Sequence, residues 1–242
     1  MARAIGIQAA TVELASFEGR RGCISRSFVD VEVGQALVHG NEILGTRVTG
    51  YDKGKTFRQS DHTLANIDSA IRSIFAPEEV ADGILTELAG YMVLDALIGN
   101  TDRHHKNWGL LQHQHPGAQA LSLSVAPSFD HASSLGRELL DERRAELLAG
   151  GRVESYIGKG RGGIFRDPED RHGENPLRLV QVAARAYPAF FRPAVERVAA
   201  LNHDVVDGII ESIPDDRASQ LAKQFAKAMI FSAQASLIET LK

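Results

Sequence analysis

Cysteine is almost absent: Cys23 is the only one in 242 residues. No intrachain disulfide can form, which excludes a disulfide-stapled scaffold and makes a reducing compartment the expectation. Uninterrupted apolar runs of about 18 residues are also missing, so no membrane-spanning helix is expected. Met1-Ala2-Arg3-Ala4-Ile5-Gly6 has no secretory-leader pattern, and a cytoplasmic location is expected. A basic excess is lacking too. Lys and Arg number 27 against 31 Asp and Glu, for a formal net charge of −4. Domains that live on nucleic acid carry the opposite balance, so direct nucleic-acid binding is not expected. There is no internal repeat and no low-complexity tract. What remains is an ordinary globular composition on a chain long enough for one large domain or two lobes.

Residues 1–48 read as β-rich with short turns. Ala2 to Ile5 suits the tail of a helix capped by Gly6, which suggests that something normally precedes it. Thr11–Ala15 and Gly22–Phe28 alternate like strands around a turn at Glu18-Gly19-Arg20-Arg21. Residues 49–61 are polar and carry Gly50 and Gly54, so they read as a loop. Ser60 or Asp61 is placed to cap a helix running to Phe75, with Leu64, Ile67, Ile71 and Ile74 on one face. Pro77 suits the first turn of the next helix, Glu78 to Ile98. That helix is apolar most of the way round and is expected to be a buried spine ended by Gly99.

Two short strands, Leu110-Leu111 and Leu121–Val125, follow around a turn near Pro116-Gly117. Beyond them helices are expected at 137–149, 176–187, 189–201, 203–213 and 216–241. Residues 151–175 read as a Gly-, Arg- and Asp-rich loop.

Between spine and hairpin lies Gly99-Asn100-Thr101-Asp102-Arg103-His104-His105-Lys106-Asn107-Trp108-Gly109. A further carboxylate, Asp130, arrives in Pro127-Ser128-Phe129-Asp130-His131. Phosphoryl transfer asks a protein mainly for positioning and charge neutralisation. Asp102 suits the carboxylate beside an incoming hydroxyl. Asn107 and Asp130 offer the hard oxygens that Mg²⁺ takes. Arg103, His104, His105 and Lys106 would add positive charge where the transferring phosphate develops its own.

Asp102-Arg103-His104-His105-Lys106-Asn107 resembles the Asp-Arg-His-x-x-Asn catalytic loop of the phosphatidylinositol-kinase-like branch of the protein-kinase-like fold. With Gly99-Asn100-Thr101 before it, it most resembles bacterial HipA-type Ser/Thr kinases. The resemblance implies an α+β, protein-kinase-like fold. Residues 1–48 would be the remnant of a small β-lobe and its hinge, and 49–242 a mostly helical C-lobe. It implies Asp102 as catalytic base, His104 in the place of the branch's transition-state histidine, and Asn107 and Asp130 as metal ligands. It implies ATP and Mg²⁺ as cofactors, with the backbone of Ser25, Arg26, Ser27 and Phe28 against adenine. Such kinases carry an early strand lysine that holds the nucleotide phosphates. The first lysines here, Lys53 and Lys55, come after the hinge, so a truncated small lobe is expected.

A Ser/Thr hydroxyl of a protein is then the implied phosphate acceptor, with a lipid or small-molecule hydroxyl as the variant. The competing reading is a kinase-like binding module, or half of a split kinase. Its partner would be an antitoxin-like protein or a chain supplying the small lobe.

Other motifs have plainer readings. His104 and His105 with His113 and His115 form a weak zinc pattern without any cysteine. His131 is expected to support Asp130 by hydrogen bonding. Gly158-Lys159-Gly160-Arg161-Gly162-Gly163 matches G-x-G-x-x-G but lacks the strand and helix of a dinucleotide site. It reads as a flexible loop near the cleft, with Lys159 and Arg161 toward substrate phosphate or peptide. Arg143-Arg144 reads as a solvated helix face, and Cys23 as a small buried strand residue.

Overall fold

The structure is a computed structural model that describes residues 1–55, 57–114 and 121–242. Ala2–Ile5 forms a short 3-10 turn, and Gly6 ends it in the left-handed conformation at φ 65. Strands β1 (Val12–Phe17) and β2 (Arg20–Ser25) pair antiparallel as a two-stranded sheet of their own. Glu18 and Gly19 both have positive φ, 47 and 75. That pair is what a two-residue hairpin of the primed type requires. No helix covers this hairpin, so Cys23 is exposed rather than buried as its strand pattern suggested. Arg217 anchors the hairpin from the far end of the chain, donating to Ala15 O and Ser16 Oγ, each at 2.7 Å.

Strand β3 (Gln35–His39) runs straight into helix α1 (Gly40–Arg47). Helix α2 (Leu64–Ile74) starts at Thr63, whose Oγ1 accepts from Asn66 N at 3.2 Å. Thr63 thus takes the cap expected of Ser60 or Asp61. Helix α3 (Glu78–Ile98) has the expected limits, and every residue from Leu88 to Ile98 is buried. Strands β4 (Gly109–Gln114) and β5 (Leu121–Val125) complete a sheet in the order β3-β4-β5. The turn expected around Pro116-Gly117 lies outside the described residues. The β3–β4 ladder joins residues 35–39 to 109–113 and so crosses the boundary expected at residue 48.

The C-terminal half is helical: α4 (Asp141–Ala149), α5 (Val153–Lys159), α6 (Pro176–Ala186), α7 (Pro188–Ala199), α8 (His203–Glu211) and α9 (Gln220–Ile238). Helices α6, α7 and α9 pack around α3. Among the described residues, no helix is long and apolar enough to cross a membrane.

Two helices depart from the sequence expectation. α1 carries its buried aliphatics, Ile43 and Leu44, side by side and has no helical stripe to read. α5 lies inside the stretch read as loop; it is one short element that buries Ile157. Both are held by packing rather than by pattern.

Candidate active site

The charged loop starts where α3 stops. Gly99 turns left-handed at φ 63, and Asn100 N closes the helix on Asp95 O at 2.9 Å. Such a terminus favours glycine because a Cβ would be strained there. Space is short as well, since a Cβ would stand 2.8 Å from Met229 Cε.

Asp95 and Arg103 form the keystone beneath the loop. Both side chains are buried, at 3% and 5% exposure. Arg103 spends its whole fork on the frame. It holds the Asp95 carboxylate, Ser128 Oγ at 3.0 Å, Phe129 O at 3.2 Å and Asn107 O. One guanidinium nitrogen therefore binds the carbonyls of both Asn107 and Phe129. That ties the catalytic-type loop to the segment that delivers Asp130.

Asn107 is buried, and its Nδ2 donates to Asp102 O at 2.8 Å. This bond fixes which end of the amide is which. Oδ1 is left as an acceptor with no partner among the described residues. Asp102 is half exposed, and His104 Nε2 stands 3.9 Å from its Oδ1. His104 Nδ1 accepts from Lys106 N at 3.1 Å. His39 Nδ1 donates to Lys106 O at 2.8 Å, so β3 also braces the loop. The Lys106 ammonium has no hydrogen-bond partner among the described residues.

Asp130 is exposed and has φ 56. A left-handed Asp is uncommon, and such backbone is found where a side chain must be aimed. The segment before it is pinned to the N-terminus by Ser128 N on Gln8 O and Ala10 N on Ser128 O, both at 2.9 Å. Phe129 packs on Phe28, with ring centroids 5.5 Å apart. Phe28 of the expected adenine-contacting stretch is thereby brought beside Asp130. Ser25 and Arg26 are exposed at the end of β2; Arg26 N donates to Thr11 O at 2.9 Å. Ser27 Oγ bonds only within its own turn, to Val29 O at 2.8 Å.

Three expectations change. Arg103 and His105 do not offer charge to a transferring phosphate. Arg103 is consumed inside, and His105 is buried with its Nδ1 2.7 Å from Tyr51 Oη. Burial, helped by the neighbouring His104 ring and the Lys106 ammonium, holds His105 down to about 4, so it is neutral near pH 7. Nor does His131 hold Asp130. Its Nε2 takes the Ser128 hydroxyl at 2.7 Å, and burial pushes it down to about 4. Its hydrogen bond goes to Ser128, which Arg103 also holds, and not to Asp130. Finally, the glycine-rich segment is no free loop. A Cβ on Gly163 would stand 2.8 Å from Arg103 O and His104 N, so this glycine lies directly on the catalytic-type backbone.

Sequence reasoning missed Asp95, His62 and Asn175. His62 is fully buried: Nδ1 donates to Gly163 O at 2.8 Å, and Nε2 accepts from Trp108 Nε1 at 3.0 Å. Asn175 caps α6 and donates to Ile157 O and Gly160 O at 2.7 and 3.1 Å. A lone acid in the apolar run Tyr91–Ile98 was the available signal for Asp95, since a buried charge needs a partner. His62 and Asn175 sit in polar stretches and give no such signal.

The donor set fits a hard divalent cation: one carboxamide oxygen and one carboxylate, both without a hydrogen-bond partner among the described residues, on segments bridged by one arginine. Among the described residues no three His, Cys, Asp or Glu side chains cluster as a metal site. The zinc pattern does not assemble there: His105 is bound to Tyr51 and His113 Nε2 lies 2.6 Å from Gln35 Nε2. His115 lies outside the described residues.

The pattern of the HipA-like C-terminal domain matches residues 1–198. The chain belongs to that family. This HipA-like domain superposes on the Helicobacter pylori proinflammatory kinase CtkA with a TM-score of 0.77 at 19% identity, over 99% of this chain and 77% of that one. It also superposes on a chain of the Shewanella oneidensis MR-1 complex of HipA, HipB and operator DNA. There the TM-score is 0.60 at 12% identity, over 99% of this chain and 53% of the other. No curated protein matches the HipA-like chain in sequence. The fold is thus α+β and protein-kinase-like, with small sheets and a mostly helical lobe.

Proposed function

We propose that this HipA-like domain is the phosphoryl-transferring part of an ATP- and Mg²⁺-dependent Ser/Thr protein kinase. One observation carries the proposal. Arg103 joins the Asn107 and Phe129 carbonyls, the latter next to Asp130 in the chain, while the Asn107 amide donates to Asp102 O and leaves Oδ1 without a partner among the described residues. Asn107 and Asp130 would hold the metal, which when bound neutralises charge on the nucleotide phosphates.

The chain's own groups do the rest. The half-exposed Asp102 carboxylate accepts the proton of the incoming hydroxyl. His104, at its side, offers an N–H to the oxygens that gain charge. Lys106 adds a fixed cation at the same edge. Phe28 and Phe129 form an apolar wall on which a base stacks.

Two measurements test this. Calorimetry with Mg·ATP is expected to give heat that Asp130→Asn removes; no heat from the wild-type chain would sink the proposal. Asp102→Asn is expected to keep that heat and the fold while ³²P transfer to protein is lost. Wild-type turnover in that variant would overturn the base assignment.

A further inference from the structure

The glycine-rich segment lines two cavities, one reaching Thr101 and the other His104, on either side of Asp102 in the chain. The larger, about 530 Å³, reaches Thr101, the residue before Asp102, and is rimmed by Arg137, Lys159 and Arg161. The smaller, about 180 Å³, is lined by His104, Arg58, Arg161 and His172. Arg161 belongs to both.

The charge there runs against the rest of the molecule. The chain carries a net charge of −4. Yet Arg58, Arg137, Lys159 and Arg161 are all exposed, and none makes a side-chain hydrogen bond or ion pair among the described residues. Among the described residues the larger cavity is lined by one carboxylate, Glu138, which accepts from Tyr156 Oη. Asp167, Asp170 and Glu174 lie on the outer flank of Arg161. The Asp167 and Asp170 side chains accept from backbone amides of their own turn, Glu174 lies 3.7 and 3.8 Å from Arg166 and Arg178, and none of the three bonds to Arg161. Four exposed cations without a side-chain partner among the described residues thus rim the two cavities, an arrangement that suits an anionic guest.

The placement is also rigid. Gly163 rests on the backbone of Arg103 and His104, and a Cβ on Gly160 would meet Thr101 Cγ2 at 3.2 Å. Asn175 holds Gly160 from the other side. The backbone that carries Lys159 and Arg161 is therefore held against the loop that carries Asp102.

We propose that this cleft is the acceptor-peptide site and that it selects acidic side chains flanking the acceptor hydroxyl. The inference deepens the phosphoryl-transfer reading and rests on it for the role of Asp102. Carboxylates on either side of the hydroxyl pair with Arg161, Lys159 and Arg137 on one flank and with Arg58 on the other. Guanidinium groups suit this, because they meet carboxylates with two parallel hydrogen bonds.

Fluorescence anisotropy of the full chain with labelled short peptides tests the idea without turnover. Each peptide carries one Ser flanked by Glu, by Gln or by Lys. The Glu peptide is expected to bind about tenfold tighter than the Gln peptide at low salt, the scale of one or two charge-assisted hydrogen bonds. The preference is expected to shrink as salt is raised. Arg161→Glu and Lys159→Glu are each expected to abolish or reverse it, while Arg143→Ala, the loss of an exposed cation outside the cleft, leaves it intact. Equal binding of the Glu and Gln peptides overturns the inference, as does an unchanged preference in Arg161→Glu. Tighter binding of a single-stranded oligonucleotide than of the Glu peptide overturns it too. Mg·ATP calorimetry on Arg161→Glu reports the fold and separates the two readings. Heat without peptide preference in the wild-type chain leaves the kinase proposal standing, and peptide preference without heat removes the kinase proposal and the acceptor role with it, leaving only a site for acidic peptides.

Discussion

Arg103 grips Asp95 with both arms of its fork, Nε on Oδ2 at 2.7 Å and Nη2 on Oδ1 at 2.8 Å. The pair links the last turns of α3 to the loop that carries Asp102 and Asn107. Removing one partner strands the other charge in the interior. Asp95→Ala is expected to cost about 3–5 kcal/mol, the scale for breaking a buried pair. Arg103→Lys is expected to destabilise as well, because an ammonium cannot reproduce the fork. Urea unfolding at neutral pH checks both; a loss below about 1 kcal/mol in Asp95→Ala, the scale of a surface pair, would contradict the keystone role.

Asn107→Leu keeps much of the side-chain volume but removes Oδ1 and the bond to Asp102 O. The Mg²⁺ concentration for half-maximal ATP binding is expected to rise at least about tenfold, since loss of mere support for a ligand has effects of that size. A magnesium titration followed by calorimetry reads the shift. No change would take Asn107 out of the metal site.

Gly163→Ala adds one methyl group at the point where the glycine-rich segment lies on Arg103 and His104. The Cβ would stand 2.8 Å from two backbone atoms, and backbone cannot swing away as a long side chain can. Overpacking of this kind costs about 1–3 kcal/mol. The variant is expected to lose peptide binding and phosphoryl transfer more than Mg·ATP binding. A wild-type melting temperature and activity would show that the contact is slack.

Acid is expected to destabilise the fold through its buried histidines. Burial holds His62 down to about 3, against an unfolded value near 6.5. His105 and His131 are held at about 4 for the same reason. Between those limits the unfolded chain binds protons that the folded chain refuses, so stability rises with pH. The contribution is complete above about pH 6.5 and is lost as pH falls toward 4 and then 3. The slope is on the order of 1.4 kcal/mol per pH unit for each histidine inside its window. Urea midpoints at pH 7.5 and pH 5 measure it, and His62→Gln should flatten the difference. An equal or higher midpoint at pH 5 would contradict the buried, neutral state of these rings.

Cys23 gives a quick check on the hairpin. It is exposed on β2, so a thiol reagent is expected to label it at the unfolded rate under native conditions. Strong native protection would mean that something covers β1 and β2.

Much of the frame could be read in advance where local chemistry is decisive. Helix α3 has both its limits in the sequence: Pro77 opens it, Gly99 closes it, and the apolar run between allows no other element. The hairpin was legible from Gly19 in the polar Glu18-Gly19-Arg20-Arg21 between two alternating runs, although the turn itself is Glu18-Gly19 and the two arginines open β2. The charged loop and Asp130 were legible as unusual polar sequence beside apolar strands. Cys23 was misplaced because strand alternation does not say whether a partner layer exists. Arg103 and His105 were misassigned because four cationic-type side chains in a row look alike until a buried acid, Asp95, and a tyrosine, Tyr51, claim two of them.

The residue order alone decided where the spine helix runs and that a short polar loop with one acid and two amides must follow it, because helix caps and apolar periodicity act within a few residues. Only the folded chain decided which of those polar groups face inward. That choice depends on Asp95, Tyr51, Ser128 and Gly163 arriving from distant segments. Burial then makes a hydrogen-bond partner obligatory, and each side chain that finds one is withdrawn from chemistry at the surface.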